Sequence, residues 1–93
     1  MIVSFNDDRL ENFWNGDQSH VPIAQLDEIS LILSVLNAAQ KLADIRMRCL
    51  DLRCLVGNPF YIVSVSEDCW IKFRFDKYNG FASEVEMTNE PQN

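Results

Sequence analysis

The alternation of apolar and polar positions is sharpest between Phe60 and Phe75, FYIVSVSEDCWIKFRF. Tyr61, Val63 and Val65 alternate with Ile62 and the serines. Beyond Glu67-Asp68, Cys69, Ile71, Phe73 and Phe75 fall on one side, and Trp70, Lys72 and Arg74 on the other. Successive side chains of a strand point to opposite faces of its sheet, so this period predicts two antiparallel strands joined by a tight turn. One face enters the core. The other presents an aromatic ring and two cations, which is where chemistry is to be sought.

Met1 to Phe5 reads as a short first strand. Asn6-Asp7-Asp8 is a capping cluster, whose short side chains can accept bonds from the free N–H groups of a helix start. A short helix follows over Arg9 to Trp14, with Leu10, Phe13 and Trp14 on one face. Pro22 introduces a long helix, proline being favoured in a first turn. That helix is expected to reach about Gln40, with an inner stripe of Leu26, Ile29, Leu33 and Leu36 edged by Ile32 and Ala39. Leu42 to Ile45 adds a turn, and Arg46-Met47-Arg48 is a link. Cys49 to Leu55 is a further strand, and Val56 to Pro59 a compact loop. Asp76 to Gly80 is a hairpin turn, because Asn79-Gly80 tolerates positive φ. Phe81 to Met87 is the last strand, and Thr88 to Asn93 a frayed tail. The expected fold class is α+β: two N-terminal helices packed on one twisted antiparallel sheet.

Ninety-three residues make one domain with one modest core. Hydrophobic residues at 47% are enough for folding, which excludes a disordered chain. No apolar run is long enough for a membrane helix, and the N-terminus lacks the pattern of a secretory signal. Cys49, Cys54 and Cys69 are odd in number and lack C-x-x-C spacing, so reduced thiols in a cytoplasmic protein are expected, as small core residues. With His20 the single histidine, neither a metal nor another cofactor is expected. The net charge is −6, with fourteen acids against eight bases. Phosphate-gripping proteins draw most of their affinity from clustered Lys and Arg, so a nucleic acid would be held here only by a local basic patch.

Taken in order, several segments resemble one family. MIVSF with LENFW is similar to the opening strand and first helix of the HigB-type toxins, the plasmid-maintenance killer proteins of the RelE/ParE superfamily. VPIAQLDEISLILSVLNAAQKLADI resembles their long helix, LDLRCLVGN their strand and Leu-x-x-Leu-x-Gly loop, and VSVSEDCWIKFRF their aromatic-rich hairpin. The resemblance runs from about Met1 to Glu90 and rests on the order of the segments. It implies a RelE/ParE-like fold and a toxin that cuts messenger RNA on the ribosome and is silenced by an antitoxin. The implied reaction is attack of a ribose 2′-hydroxyl on the adjacent phosphate, aided by acid–base groups and fixed positive charge.

The sequence departs from that equipment at several positions. Val56 stands where the family has a basic residue. The loop after Gly57 is reduced to Asn58-Pro59. Trp70-Ile71-Lys72 replaces Trp-Arg-Ile, and Glu86-Met87-Thr88-Asn89 lacks the terminal Tyr and His. What survives for catalysis is Arg53, Lys72, Arg74, Glu86 and Asn89, and for RNA contact Arg53, Trp70, Lys72 and Arg74. Against this, Glu84 and Glu86 lie across the hairpin from Lys72 and Arg74, and plain cross-strand ion pairing is the simpler expectation. Two functions follow: a HigB-like toxin with cleavage weak or lost, or an inactive toxin-fold module that presents an acidic surface to a protein partner.

Overall fold

The computed structural model describes residues 1–49, 51–55, 57 and 59–89. Four antiparallel strands form one sheet in the order β1 (Arg53–Cys54), β2 (Phe60–Ser66), β3 (Cys69–Asp76), β4 (Phe81–Thr88). Both hairpins lie where the alternation places them. Ser66 pairs with Cys69 around Glu67-Asp68, and Asp76 pairs with Phe81 around the second turn. In that turn Asp76 accepts bonds from the amides of Tyr78 and Asn79, and only Gly80 adopts positive φ, at 69°. Gly80 also lies close against the end of the long helix, where an added Cβ would meet Gln40 Cα at 3.0 Å. Conformation and space both select glycine there.

Helices cover one face of this sheet: α1 (Asp8–Trp14), a short 3₁₀ turn (Ile23–Gln25), α2 (Leu26–Ala38) and α3 (Leu42–Arg48). Leu10, Ile29, Leu33, Leu36 and Ile45 meet Ile71, Phe73 and Val85 in one core, each of them 0% exposed. Phe73 lies at its centre, its ring stacked on Tyr61 at 5.9 Å between centroids. The predicted stripe is thus the inner face of α2, with Ile32 fully inside it rather than at its edge. Trp14, expected inward with Leu10 and Phe13, is 37% exposed.

The helical layer holds three helices where two were expected. Ala39 turns extended, which stops α2, and the Asp44 carboxylate then accepts the amides of Gln40 and Lys41 to start α3. Arg46–Arg48, expected as a link, completes that helix. The long helix also starts later than Pro22, because Pro22 is extended and the chain passes first through the 3₁₀ turn.

Two strand expectations change as well. Met1 to Phe5 makes only isolated parallel bridges to β4, at Ile2–Ala82 and Phe5–Val85. The strand expected over Cys49 to Leu55 shrinks to Arg53–Cys54. The amide of Ser64, which would pair with an extended neighbour, is taken by the Asp51 carboxylate at 3.0 Å, and Leu52 donates back to Cys49 in a turn. Cys54, expected in the core, is exposed. The expectations for Leu50, Val56, Asn58 and 90–93 fall outside the described residues.

A bulge sets the geometry of the last strand. Between Lys72–Glu86 and Arg74–Ser83, β4 spends one residue more than β3. The surplus residue is Glu84, at φ 52°, a conformation uncommon for a non-glycine residue. Its amide is satisfied by the Ser4 hydroxyl at 2.9 Å, so the N-terminal segment holds the bulge in place. The same extra residue lets Ala82, Val85 and Met87 all face the core, although their spacing is three and then two.

Candidate functional site

The sheet face away from the helices carries the residues that the sequence singled out. Register places Arg53, Ile62, Lys72 and Glu86 in one row across β1, β2, β3 and β4. Trp70 and Arg74 flank Lys72 on β3, opposite Ser64 and Phe60 of β2. Trp70 is half-buried and Arg74 exposed.

Both β3 cations are engaged. Lys72 Nζ lies 3.0 Å from Glu86 Oε1 and 4.6 Å above the centre of the Phe60 ring. Its side chain is only 15% exposed, so the ammonium is held between a carboxylate and a π face rather than offered to solvent. Arg74 NH1 lies 3.2 Å from Glu84 Oε2, in a more open pair. Such a surface pair contributes little stability, about 0–1 kcal/mol, but it fixes where the two charges sit. Cross-strand pairing with Glu84 and Glu86, the simpler expectation, is what the side chains do.

Arg53 is not gathered with them. Ile62, 1% exposed, stands between Arg53 and Lys72. The two cations are therefore two strand spacings apart, roughly 10 Å between backbones. Arg53 makes no ion pair among the described residues, and its neighbour Asp51 serves the Ser64 amide instead. Asn89 is separated too. It lines a cleft of about 250 Å³ on the helix side, with Arg9, Gln25, Cys69 and Met87. Of the five residues considered for catalysis, the fold brings together Lys72, Arg74 and Glu86.

Two contributors escaped the sequence reading. Phe60 shares the open face because β2 pairs with β3 at Phe60–Arg74 and Ile62–Lys72. The alternation continued back from Ile62 carries that signal. Asp7 is the second. Its side chain caps α1 through the Arg9 amide, pairs with the Arg9 guanidinium at 2.9 Å, and accepts the Met87 amide at 3.0 Å. It therefore ties the first helix to the residue after Glu86.

Burial alone would raise the Asp7 carboxyl pKa, but the Arg9 side chain and the Met87 and Arg9 amides outweigh it and hold the group below its ordinary value. A depressed folded pKa contributes stability above the unfolded value, about 3.9, and that contribution is lost as pH falls through the lower folded value. Asp7→Asn keeps a good cap. It is expected to cost about 1–2 kcal/mol at pH 7 through weakened charged hydrogen bonds. Thermal melts of both proteins at pH 7 and at pH 2–3 check this, and the gap should narrow at the acid end.

The remaining chemistry is sparse. Burial pushes the Cys49 and Cys69 thiols up, away from the thiolate that a nucleophile needs. His20 lies exposed, 3.4 Å from Asp17. Among the described residues no group of three His, Cys, Asp or Glu side chains could hold a metal, and no helix is long and apolar enough to cross a membrane.

These features define an α+β protein with helices on one face of an antiparallel sheet and a charge-paired row on the other. No family model matches the chain, and no curated protein does.

Proposed function

We propose that the chain is a HigB/RelE-like toxin component of a toxin–antitoxin pair whose messenger-RNA cleavage is weak or lost, and that it works by binding protein. The order of elements supports the scaffold: an extended N-terminal segment beside the last strand, then helices, then consecutive antiparallel strands, with the family-like segments falling on them in sequence. The quoted Trp70 to Phe75 motif becomes the middle strand of the open face.

The observation that carries the loss of cleavage is the pairing of Lys72 with Glu86 and of Arg74 with Glu84. Attack of a 2′-hydroxyl on phosphate builds negative charge, and fixed unpaired cations are what would stabilise it. Here Lys72 and Arg74 each already face a carboxylate, and Arg53 stands two strands away from Lys72. A phosphate approaching the row meets two acids along with two bases. Glu86, the carboxylate among the candidates for catalysis, is engaged with Lys72.

The test is expression in a bacterial host, together with incubation of the purified chain, ribosomes and a defined transcript. Growth without arrest and an intact transcript are expected. Clean cutting of the transcript at low enzyme-to-ribosome ratios would overturn the reading.

A further inference from the structure

Two Asn-Gly pairs occur in the chain, Asn15-Gly16 and Asn79-Gly80. Such a pair carries chemistry of its own. The glycine amide nitrogen can attack the carbonyl carbon of the asparagine side chain, and a glycine has no Cβ to shield that approach. As the new N–C bond forms, the amide proton passes through solvent to the carboxamide nitrogen. The old C–N bond breaks and ammonia leaves. Water then opens the five-membered imide at one carbonyl or the other, giving aspartate or isoaspartate. Both asparagines are exposed to the water this needs, but the fold treats them differently.

Asn79 is pinned. Its Nδ2 donates to Asp76 Oδ2 at 2.8 Å, and its backbone amide to Asp76 Oδ1 at 3.3 Å. The attacking group, the amide of Gly80, donates to the Asp76 carbonyl oxygen at 2.8 Å. Gly80 itself is buried against Gln40 and Ala39. Reaction would have to break a hydrogen bond to a charged acceptor, which is among the stronger kinds. It would also build an oxyanion on the Asn79 carbonyl beside the Asp76 carboxylate, where like charges repel.

Asn15 has no such guard. Its side chain makes no hydrogen bond among the described residues. The Gly16 amide donates to the Phe13 carbonyl at 3.1 Å, a bond of the helix end. Nothing lies within 4 Å of the position a Cβ of Gly16 would take, so ring closure meets no wall. The nearby Asp17 carboxylate is turned to Ser19 and His20. A carboxylate made at Asn15 takes the net charge from −6 to −7. It stands at the negative end of α1, whose last turn has no basic residue.

We propose that Asn15-Gly16 is a site of spontaneous deamidation, and that Asp76 withholds the same reaction from Asn79-Gly80. The modification consumes only water, so it holds whether or not transcripts are cut.

The test incubates the full chain in warm, mildly alkaline buffer and follows each site over time. Trypsin, cutting after Arg9, Lys41 and Lys77, puts the two asparagines on separate peptides, and tandem mass spectrometry reads the change from amide to acid. In the folded chain Asn15 is expected to convert at least tenfold faster than Asn79. In strong urea the two rates should converge, because the dipeptide is the same and its surroundings are gone. Asp76→Ala should speed Asn79 at least tenfold in the folded chain and leave Asn15 unchanged. Equal rates in the folded chain overturn the proposal. A gap that persists undiminished in urea also overturns it, since sequence and not structure would then set the rates, and that comparison needs no variant. A folded Asp76→Ala chain in which Asn79 stays slow removes Asp76 from the role.

Discussion

Phe73→Ala is expected to lower the unfolding free energy by about 3–5 kcal/mol. The side chain is 0% exposed, stacks on Tyr61 and lies beneath the α2 stripe, so its removal leaves a cavity ringed by both layers. Strand backbones on both sides, each hydrogen-bonded into the sheet, limit how far that cavity can collapse. A domain of this size has a total stability of only about 5–15 kcal/mol, so the variant sits near the edge of folding. Urea titration followed by tryptophan fluorescence measures it. The midpoint should fall while the slope stays unchanged, which separates lost stability from an altered unfolded state. A loss below about 1 kcal/mol would mean that Phe73 is not the centre of the core.

The second large effect is functional. Replacing Glu84 and Glu86 together by glutamine releases Arg74 and Lys72 and moves the net charge from −6 to −4, since two negative charges are removed. The double variant is expected to gain binding to single-stranded RNA, with the half-buried Trp70 beside the cations for stacking. Each phosphate contact to a single strand contributes about −0.7 to the slope of log K against log salt. Two freed cations therefore predict a slope steeper by about 1.4 than that of the unaltered chain. Anisotropy of a labelled oligonucleotide over a salt series reads it directly. Adding Lys72→Met and Arg74→Gln to the double variant should return the slope to its starting value. A folded double variant with no new affinity would show that something other than these carboxylates silences the face.

The two replacements also differ in structural context. Glu86 sits in regular pairing opposite Lys72, whereas Glu84 occupies the bulge at positive φ, with its amide on Ser4. The Arg74 pair thus depends on a backbone feature that the N-terminal segment supports. That dependence links a residue near the start of the chain to the charge pattern near its end.

How much of this could be read beforehand depends on the range over which each signal acts. The β2–β3 hairpin is local: Tyr61, Val63, Ile71 and Phe73 alternate, the turn is two residues, and the register follows from both. The inner face of α2 is local in the same sense, as periodicity selects Ile29, Leu33 and Leu36. The ion pairs were legible because a single hairpin turn brings Glu84 and Glu86 back across Lys72 and Arg74. The break between α2 and α3 carried a signal too, an aspartate three residues after Lys41, but such a cap only becomes visible once the chain is known to turn extended at Ala39.

Other features had no local signature. The short β1 was misread as seven residues because alternation in CLDLRCL does not reveal that Asp51 replaces a backbone partner for Ser64. The separation of Arg53 from Lys72 by Ile62 is a matter of strand order. The bulge left a trace in the uneven spacing of Ala82, Val85 and Met87, yet only the parallel N-terminal segment says which residue is extruded.

By itself, then, the sequence determined the α+β class, the central hairpin, the helical stripe and the partners of the two β3 cations, because each follows from contacts between residues near in the chain. The tertiary structure alone decided which cations share a surface and that Asn89 lies apart from Lys72. Those are relations between segments brought together by packing, and no short-range pattern of side chains encodes them.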